Sequence, residues 1–297
     1  FIDAIYGIGL SSKVHKKECA ILNIIDKHPA PVIAIDIPSG IDCNNGKILG
    51  FAAYCDLTIT FSTLKIGHIL LPGSEKINKI KVLDIGISKD IINKIEPDVK
   101  INLKNEWVKK IVWPKIDDHK YSRGYSLIIG GPKDMTGASR LAAMSAQRAG
   151  SGIVALATEK EAAEIYFISL TSQLVKTYEN IKEYNTIINE PRIDSIVIGP
   201  GLDISSKSIL KIKSALKTNK RIVLDAGAIS CFKNKLEIFV KILSGKDVII
   251  TPHEGELKSI LPNLTGNLIS KALKAAKILN VIVVLKGATT IIASPNN

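Results

Sequence analysis

Short β-branched apolar runs alternate with amphipathic stretches along the whole chain, and nearly every run stops at Gly, Pro, Asp or Thr. That alternation restricts the chain to parallel α/β layers, because a strand covered by helices on both faces reads as an almost unbroken apolar run. Runs at 1–6, 32–37, 56–61 and 81–87 form a first set. A helix is expected over 16–27, with Ala20, Ile21, Ile24 and Ile25 as its apolar stripe. A second set comprises 125–129, 152–158, 195–198, 221–225, 247–251, 281–286 and 289–293, with helices expected at 139–149, 205–217, 254–261 and 267–279. From residue 88 to about 105 the chain is charged, contains Pro97 and has no strand-like run. With 297 residues the chain has the length of two domains. We expect them at 1–90 and 111–297, joined by a linker over 91–110.

Composition narrows the function classes. Hydrophobic residues make up 46% of the chain, enough for buried cores and too many for a disordered protein. The net charge is +12, yet the lysines are scattered as singles and pairs such as Lys16–Lys17. There is no arginine-rich run, and aromatics to stack bases are few, so a solvated surface is expected and not a nucleic-acid groove. A small anionic ligand still gains from that field. No uncharged apolar run approaches the ~18 residues that would suggest a membrane span. The four cysteines lack CxxC spacing, which points to reduced thiols in a cytoplasm and away from a disulfide framework or a zinc site. The chain starts inside one strand-like run, at Phe1, and stops just after another, at Asn297. It is therefore expected to be a piece of a longer protein.

Strand ends in the first set carry polar motifs. Asp3-Ala-Ile-Tyr-Gly-Ile-Gly-Leu-Ser-Ser-Lys13 places a carboxylate in a strand and a Gly-x-Gly turn after it, a turn whose N–H groups suit phosphate. Asp36-Ile-Pro-Ser-Gly-Ile-Asp42 offers a carboxylate, a hydroxyl and a tight turn. Two readings stand at this point: Asp3 and Ser39 bind a cation through hard oxygens, or the aspartates bond nearby turn amides. With Asp56-Leu-Thr-Ile-Thr-Phe61 and Val82-Leu-Asp-Ile-Gly-Ile87 following in order, the region resembles the carboxyl-terminal part of the NAD(P)H-hydrate epimerase domain, which has a Rossmann-like α/β fold. The resemblance implies potassium on Asp3 and Ser39. It also implies substrate contacts from Gly7, Ile8, Gly9, Leu10, Ser11, Ser12, Lys13 and Asp36. The family's Asn- and Gly-rich phosphate loop is expected upstream of Phe1.

In the second set, Gly130-Gly-Pro-Lys-Asp-Met-Thr-Gly137 leads from a strand into a helix, where free N–H groups favour anions. It is no Walker A loop, since no Gly-Lys-Ser/Thr follows, and it reads equally as a plain β–α turn. Ile198-Gly-Pro-Gly-Leu202, Leu224-Asp-Ala-Gly-Ala228, Thr251-Pro-His-Glu-Gly-Glu256 and Leu285-Lys-Gly-Ala-Thr-Thr290 each close a strand. His253 can donate to a bound carbonyl or phosphate, or simply cap a turn. Lys286 can neutralise phosphate, and Gly287 lets a nucleotide lie close. Glu254 and Glu256 open a helix, where negative charge complements the dipole.

In this order, from about Trp113 to Ala293, the motifs resemble the ADP-dependent NAD(P)H-hydrate dehydratase domain, which has a ribokinase-like fold. Its fusion to an epimerase domain is characteristic of bifunctional nicotinamide nucleotide repair enzymes. The resemblance implies that Ala138, Gly201 and His253 contact the hydrated cofactor, and that Lys286, Gly287, Ala288, Thr289 and Thr290 hold the adenine nucleotide. It further implies ADP or ATP with magnesium, a homo-oligomer, and a catalytic aspartate in a segment beyond Asn297. Two positions depart from the family pattern: Asp203 stands where Gly is usual, and Gly227 where Asp is common. The implied substrate is NADH or NADPH with water added across a nicotinamide double bond. Phosphorylating the resulting hydroxyl turns a poor leaving group into a good one. A kinase that phosphorylates an alcohol and a non-catalytic nucleotide-binding protein are the rival readings.

Overall fold

The computed structural model describes residues 1–95, 97 and 99–296. The expected linker at 91–110 contains Glu96 and Asp98, which lie outside the described residues, as does Asn297. The chain divides into two compact units, Phe1–Ile101 and Asn102–Asn297. Among the described residues no helix is long and apolar enough to cross a membrane.

Unit 1 is built on four parallel strands in sequence order: β1 (Ile2–Asp3), β2 (Ile33–Ile35), β3 (Cys55–Phe61) and β4 (Ile77–Leu83). Helix Lys16–Lys27 forms as the periodicity predicts, but its buried face differs from the expected one. Leu22 and Ile25 are buried, packed with Val14, Val32, Ala34 and Cys55, whereas Ile21 and Ile24 are exposed. A rotation of ~100° per residue separates Leu22 from Ile21, so two overlapping stripes satisfy the same period. The fourth strand also falls earlier than expected. Cys55↔Ile77 through Phe61↔Leu83 are paired, so the full length of β3 sets the register. The apolar residues at 85–87 run past the sheet, where Asp84 Oδ1 accepts the Gly86 N–H at 2.8 Å and Gly86 adopts φ +88°. Lysines at 79 and 81 are exposed on β4, a usual protection for an edge strand.

Unit 2 carries an eight-stranded sheet. Its strands are β5 (Tyr125–Ile129), β6 (Ile153–Glu159), β7 (Leu174–Tyr178), β8 (Ser195–Ile198), β9 (Arg221–Leu224), β10 (Val248–Ile250), β11 (Ile282–Leu285) and β12 (Ile291–Ala293). They lie in the order β12-β11-β10-β9-β8-β5-β6-β7. All neighbours are parallel except β11 and β12. The last pair departs from the all-parallel expectation because only a short turn joins the two strands, and a parallel return needs a crossover of about a dozen residues or more. Strand β7 and helices Ala163–Ser169, Ile181–Ile188 and Leu236–Leu243 lie outside the elements expected from the sequence. The core of the unit is apolar on both sheet faces and includes fully buried Tyr184, Phe232 and Phe239. Strand order reverses between β5 and β8, and at such a switch the loops part to leave a crevice at the carboxyl edge.

Candidate functional site

Unit 1 gathers polar residues at the carboxyl ends of its strands. Asp3 ends β1 with 0% of its surface exposed. A buried carboxylate needs hydrogen-bond partners, and Ser39 donates to it twice, from its N–H at 2.8 Å and its hydroxyl at 2.5 Å. Ser39 Oγ also accepts the Tyr6 N–H at 2.9 Å, with the Tyr6 carbonyl oxygen 3.3 Å away. The turn after Ser39 requires glycine: Gly40 has φ +98°, and a Cβ there would lie 1.9 Å from the Phe51 carbonyl oxygen. Carboxylate, hydroxyl and carbonyl oxygens thus converge, a hard donor set that fits an alkali cation. Among the described residues no group of three or more His, Cys, Asp or Glu is placed to hold a metal ion.

Beyond β2, Asp36 adopts the left-handed conformation, with φ +68°. Its carboxylate accepts from the Lys65 ammonium, from Thr60 Oγ1 at 2.9 Å and from the Phe61 N–H at 3.4 Å. Lys65 Nζ also bonds Thr60 Oγ1 at 2.7 Å and the Phe61 carbonyl at 3.2 Å. Burial pushes the Asp36 carboxyl up, but the Lys65 and Thr60 bonds outweigh it and leave it below the usual carboxylate value. Loop 7–13 reaches this region through Cys43, whose thiol donates to the Ile8 carbonyl at 3.2 Å. Gly7, Ile8, Gly9, Ser11, Ser12 and Lys13 are exposed, Leu10 is half-buried, and a Cβ on Gly7 or Gly9 would meet nothing within 4 Å.

Lys65, Thr60 and the neighbouring His68 are not among the site residues expected from the sequence. A threonine at the end of a buried strand was the available signal for Thr60. Lys65 and His68 lie past a turn, where periodicity is silent.

The ion pair yields a signed prediction. A depressed carboxyl pKa stabilises the fold above the unfolded value and loses that contribution as pH falls through the folded one. Lys65→Met is therefore expected to cost ~1–3 kcal/mol at neutral pH through lost charge-assisted bonds. The deficit should shrink below about pH 4, where unfolded carboxyls protonate. Urea midpoints of both chains at neutral and acid pH measure it, and a deficit that is constant with pH would contradict it.

In unit 2 the strand ends form one continuous rim. Gly131 packs so closely that a Cβ there would lie 2.1 Å from the Gly201 carbonyl oxygen, and a Cβ on Gly201 would lie 2.2 Å from that of Met135. Ala138 follows in the first turns of helix Thr136–Arg148 and is exposed. Gly199 faces the Asp225 carbonyl oxygen, at 1.8 Å from its would-be Cβ. Asp225 Oδ1 accepts from Thr251 Oγ1 at 2.7 Å and pairs with Lys286 Nζ at 2.5 Å. The Lys286 N–H donates to the Pro252 carbonyl at 2.8 Å, and His253 and Lys286 are bridged as parallel neighbours.

His253 caps helix Glu254–Ile260. Its Nδ1 accepts the N–H groups of Gly255 and Glu256 at 3.0 and 3.2 Å, while Glu256 Oε2 accepts the His253 N–H at 2.8 Å. Nδ1 is thereby an acceptor, so Nε2 carries the proton on an exposed ring and can still donate to a ligand. Glu254 pairs with Lys271. The turn 286–290 is open: Lys286, Gly287, Ala288 and Thr290 are exposed, Thr289 is half-buried, and the first contact of a Cβ on Gly287 would be the Thr289 carbonyl oxygen at 3.4 Å.

At the switch point lies a cavity of about 150 Å³, lined by Gly130, Gly131, Glu159, Asp203, Lys207 and Lys211 among others. Lys211 is nearly buried and pairs with Glu159 at 2.6 Å. Asp203 accepts the Ser208 hydroxyl at 2.8 Å. Burial raises the Asp203 carboxyl, and its bonds to Ser205 and Ser208 more than offset that, so it sits below the usual value. The two positions noted as departures are neighbours, since a Cβ on Gly227 would lie 2.1 Å from the carbonyl oxygen of Leu202, the residue before Asp203.

The sequence profile of the NAD(P)H-hydrate dehydratase family matches residues 126–297, and that of the YjeF-related protein N-terminus matches residues 1–67. The bifunctional NAD(P)H-hydrate repair enzyme Nnr of Dictyoglomus turgidum is 32% identical over 314 residues, covering 100% of this chain and 60% of its own length. The enzyme of the same name from Moorella thermoacetica is 27% identical, covering 99% and 58%. The chain thus spans about three-fifths of these curated relatives. Among solved structures, an ADP/ATP-dependent NAD(P)H-hydrate dehydratase from Bacillus subtilis, co-crystallised with ATP and Mg²⁺, superposes with TM-score 0.57 and 24% identity over 67% of this chain and 71% of its own. A ribokinase-like superfamily protein from Enterococcus faecalis gives 0.54 at 19% identity, over 67% and 72%. Both show the ribokinase-like fold of unit 2, and with the family profile covering more than half of the sequence, the chain belongs to the NAD(P)H-hydrate dehydratase family.

Proposed function

We propose that the two units share one repair function, in which unit 2 dehydrates hydrated NADH or NADPH at the expense of ADP or ATP, and unit 1 interconverts the two epimers of that hydrate. The observation that carries this reading is the rim of unit 2. There Lys286 and His253 are bridged neighbours, and Asp225 joins Lys286 to the glycine loops that lead to Gly201 and Ala138. Ala138, Gly201 and His253 contact the hydrate, with His253 donating from Nε2. Lys286, Gly287, Ala288, Thr289 and Thr290 bind the adenine nucleotide with its magnesium, and Lys286 leaves Asp225 to meet a phosphate. The nucleotide supplies the phosphoryl group that makes the hydroxyl leave. The chain's part is to hold both partners in line and stabilise charge.

In unit 1 the hydrated ring opens and recloses. The hydroxyl proton departs as the carbon–nitrogen bond breaks, a carbonyl forms, nitrogen takes the electron pair and a proton, and closure from the other face inverts the carbon. Asp36 and Lys65 set a proton acceptor beside a donor, loop 7–13 covers the nucleotide, and Asp3 and Ser39 hold potassium. The assembly works in the cytoplasm as a homo-oligomer. Incubating the protein with hydrated NADH, ADP and magnesium tests the reading. Recovery of the NADH absorbance supports it, and a phosphorylated alcohol accumulating without NADH would replace it with a kinase.

A further inference from the structure

A single imidazole ties together two backbone positions 29 residues apart, Asp36 and Lys65. His68 is only 2% exposed. Its Nδ1 accepts the Lys65 N–H at 3.1 Å, so that nitrogen carries a lone pair. Its Nε2 lies 2.8 Å from the Asp36 carbonyl oxygen, which can only accept, so Nε2 carries the proton. These two contacts select the neutral Nε2–H tautomer. Burial holds the imidazole pKa below the usual histidine value; the Asp36 carbonyl opposes that shift and the Lys65 ammonium reinforces it.

Asp36 needs such an anchor. A non-glycine residue in the left-handed region costs about 1–3 kcal/mol and persists only where its surroundings hold it. The Asp36 N–H donates to the Ile59 carbonyl at 2.7 Å, and its own carbonyl accepts from His68. Held from both sides, the residue turns its carboxylate toward Thr60, Phe61 and Lys65. The same ring fixes the main chain of Lys65, so one side chain sets both members of the ion pair.

We propose that His68 is a positioning residue of the unit 1 site: a neutral clamp that keeps Asp36 left-handed and so presents the Asp36–Lys65 pair to the hydrated nicotinamide nucleotide. Its place in catalysis rests on the epimerase reading of unit 1, whereas the clamp itself does not. Long-range ¹H–¹⁵N spectra of the labelled wild-type chain are expected to show His68 protonated at Nε2 and bare at Nδ1, and a proton on Nδ1 would overturn the proposal.

Two substitutions divide the clamp. His68→Gln keeps a donor for the Asp36 carbonyl, and His68→Asn keeps only an acceptor for the Lys65 N–H. By ¹³C titration, Asp36 should stay below the usual carboxyl value in His68→Gln and return to or above it in His68→Asn. Misplacing a reacting group by about 1 Å costs on the order of 100-fold. The kcat for hydrate epimerisation should fall by roughly that factor in His68→Asn and recover most of it in His68→Gln, with KM little changed in both. Parallel losses of kcat and stability in the two variants would reduce His68 to a structural residue. If Asp36 titrates as described but a protein that also carries the phosphate loop expected upstream of Phe1 does not interconvert the hydrates, the clamp stands and the epimerase reading falls.

Discussion

Gly199→Ala is expected to destabilise unit 2 by about 3–5 kcal/mol, a large share of the ~5–15 kcal/mol that holds a typical domain folded. Two independent penalties combine. Gly199 has φ +129°, which an alanine rarely adopts, and the new Cβ would sit 1.8 Å from the Asp225 carbonyl oxygen and 3.0 Å from Ala228 Cβ. The obstruction is main chain, so no side-chain rotation relieves it. Gly137 provides the control: a Cβ there meets nothing within 4 Å, so Gly137→Ala should be neutral or stabilising by up to ~1 kcal/mol. Urea denaturation of the three chains reads both effects. Equal mild shifts would mean that the loops after β8 and β9 are not packed against each other as described.

Lys286→Ala is expected to weaken ADP and ATP binding by about 10- to 100-fold, the loss of one or two charge-assisted hydrogen bonds. Lys286 pairs with Asp225 at 2.5 Å in a partly exposed position, so the pair itself adds little stability. The substitution should leave the melting temperature nearly unchanged and epimerisation by unit 1 intact. Calorimetric titration with ADP, alongside an epimer-interconversion assay, separates these readouts. An equal loss of both activities would contradict two independent sites.

Much of this architecture is written in local sequence. Strands such as Tyr125–Ile129 and Ser195–Ile198 are short apolar blocks closed by Gly or Pro, and they form over the residues the pattern predicts. Helix boundaries marked by Ser205 and Asn267 are equally legible, since each side chain accepts an N–H of the first turn. Strand β7 escapes because Leu174-Val-Lys-Thr-Tyr178 is an edge strand, half polar and only partly buried. Asn180 was a readable start signal for the helix after it, accepting from Lys182 and Glu183, but the preceding strand gave it no context.

The candidate sites divide the same way. Asp3 and Ser39 stand out as polar residues within apolar runs, and the structure brings them into contact. Lys65 and His68 acquire their roles only when β2 and β3 pair and carry Asp36 to them, a tertiary event with no local periodicity. The glycines of the second set are legible as turns, yet their sequence does not say whether the missing Cβ admits a ligand or another loop. At Gly131, Gly199, Gly201 and Gly227 another loop fills the space.

That seam around the rim of unit 2 separates the shape of the crevice from its chemistry. Its loops are keyed to one another by peptide oxygens, and every residue in a protein supplies one whatever its side chain. The mould of the crevice is therefore set by main-chain packing at a handful of glycines, and a change in the side chains that project from it alters the chemistry on offer without recasting the mould. A ribokinase-like scaffold that persists at 19–24% identity is what such a main-chain joint would permit.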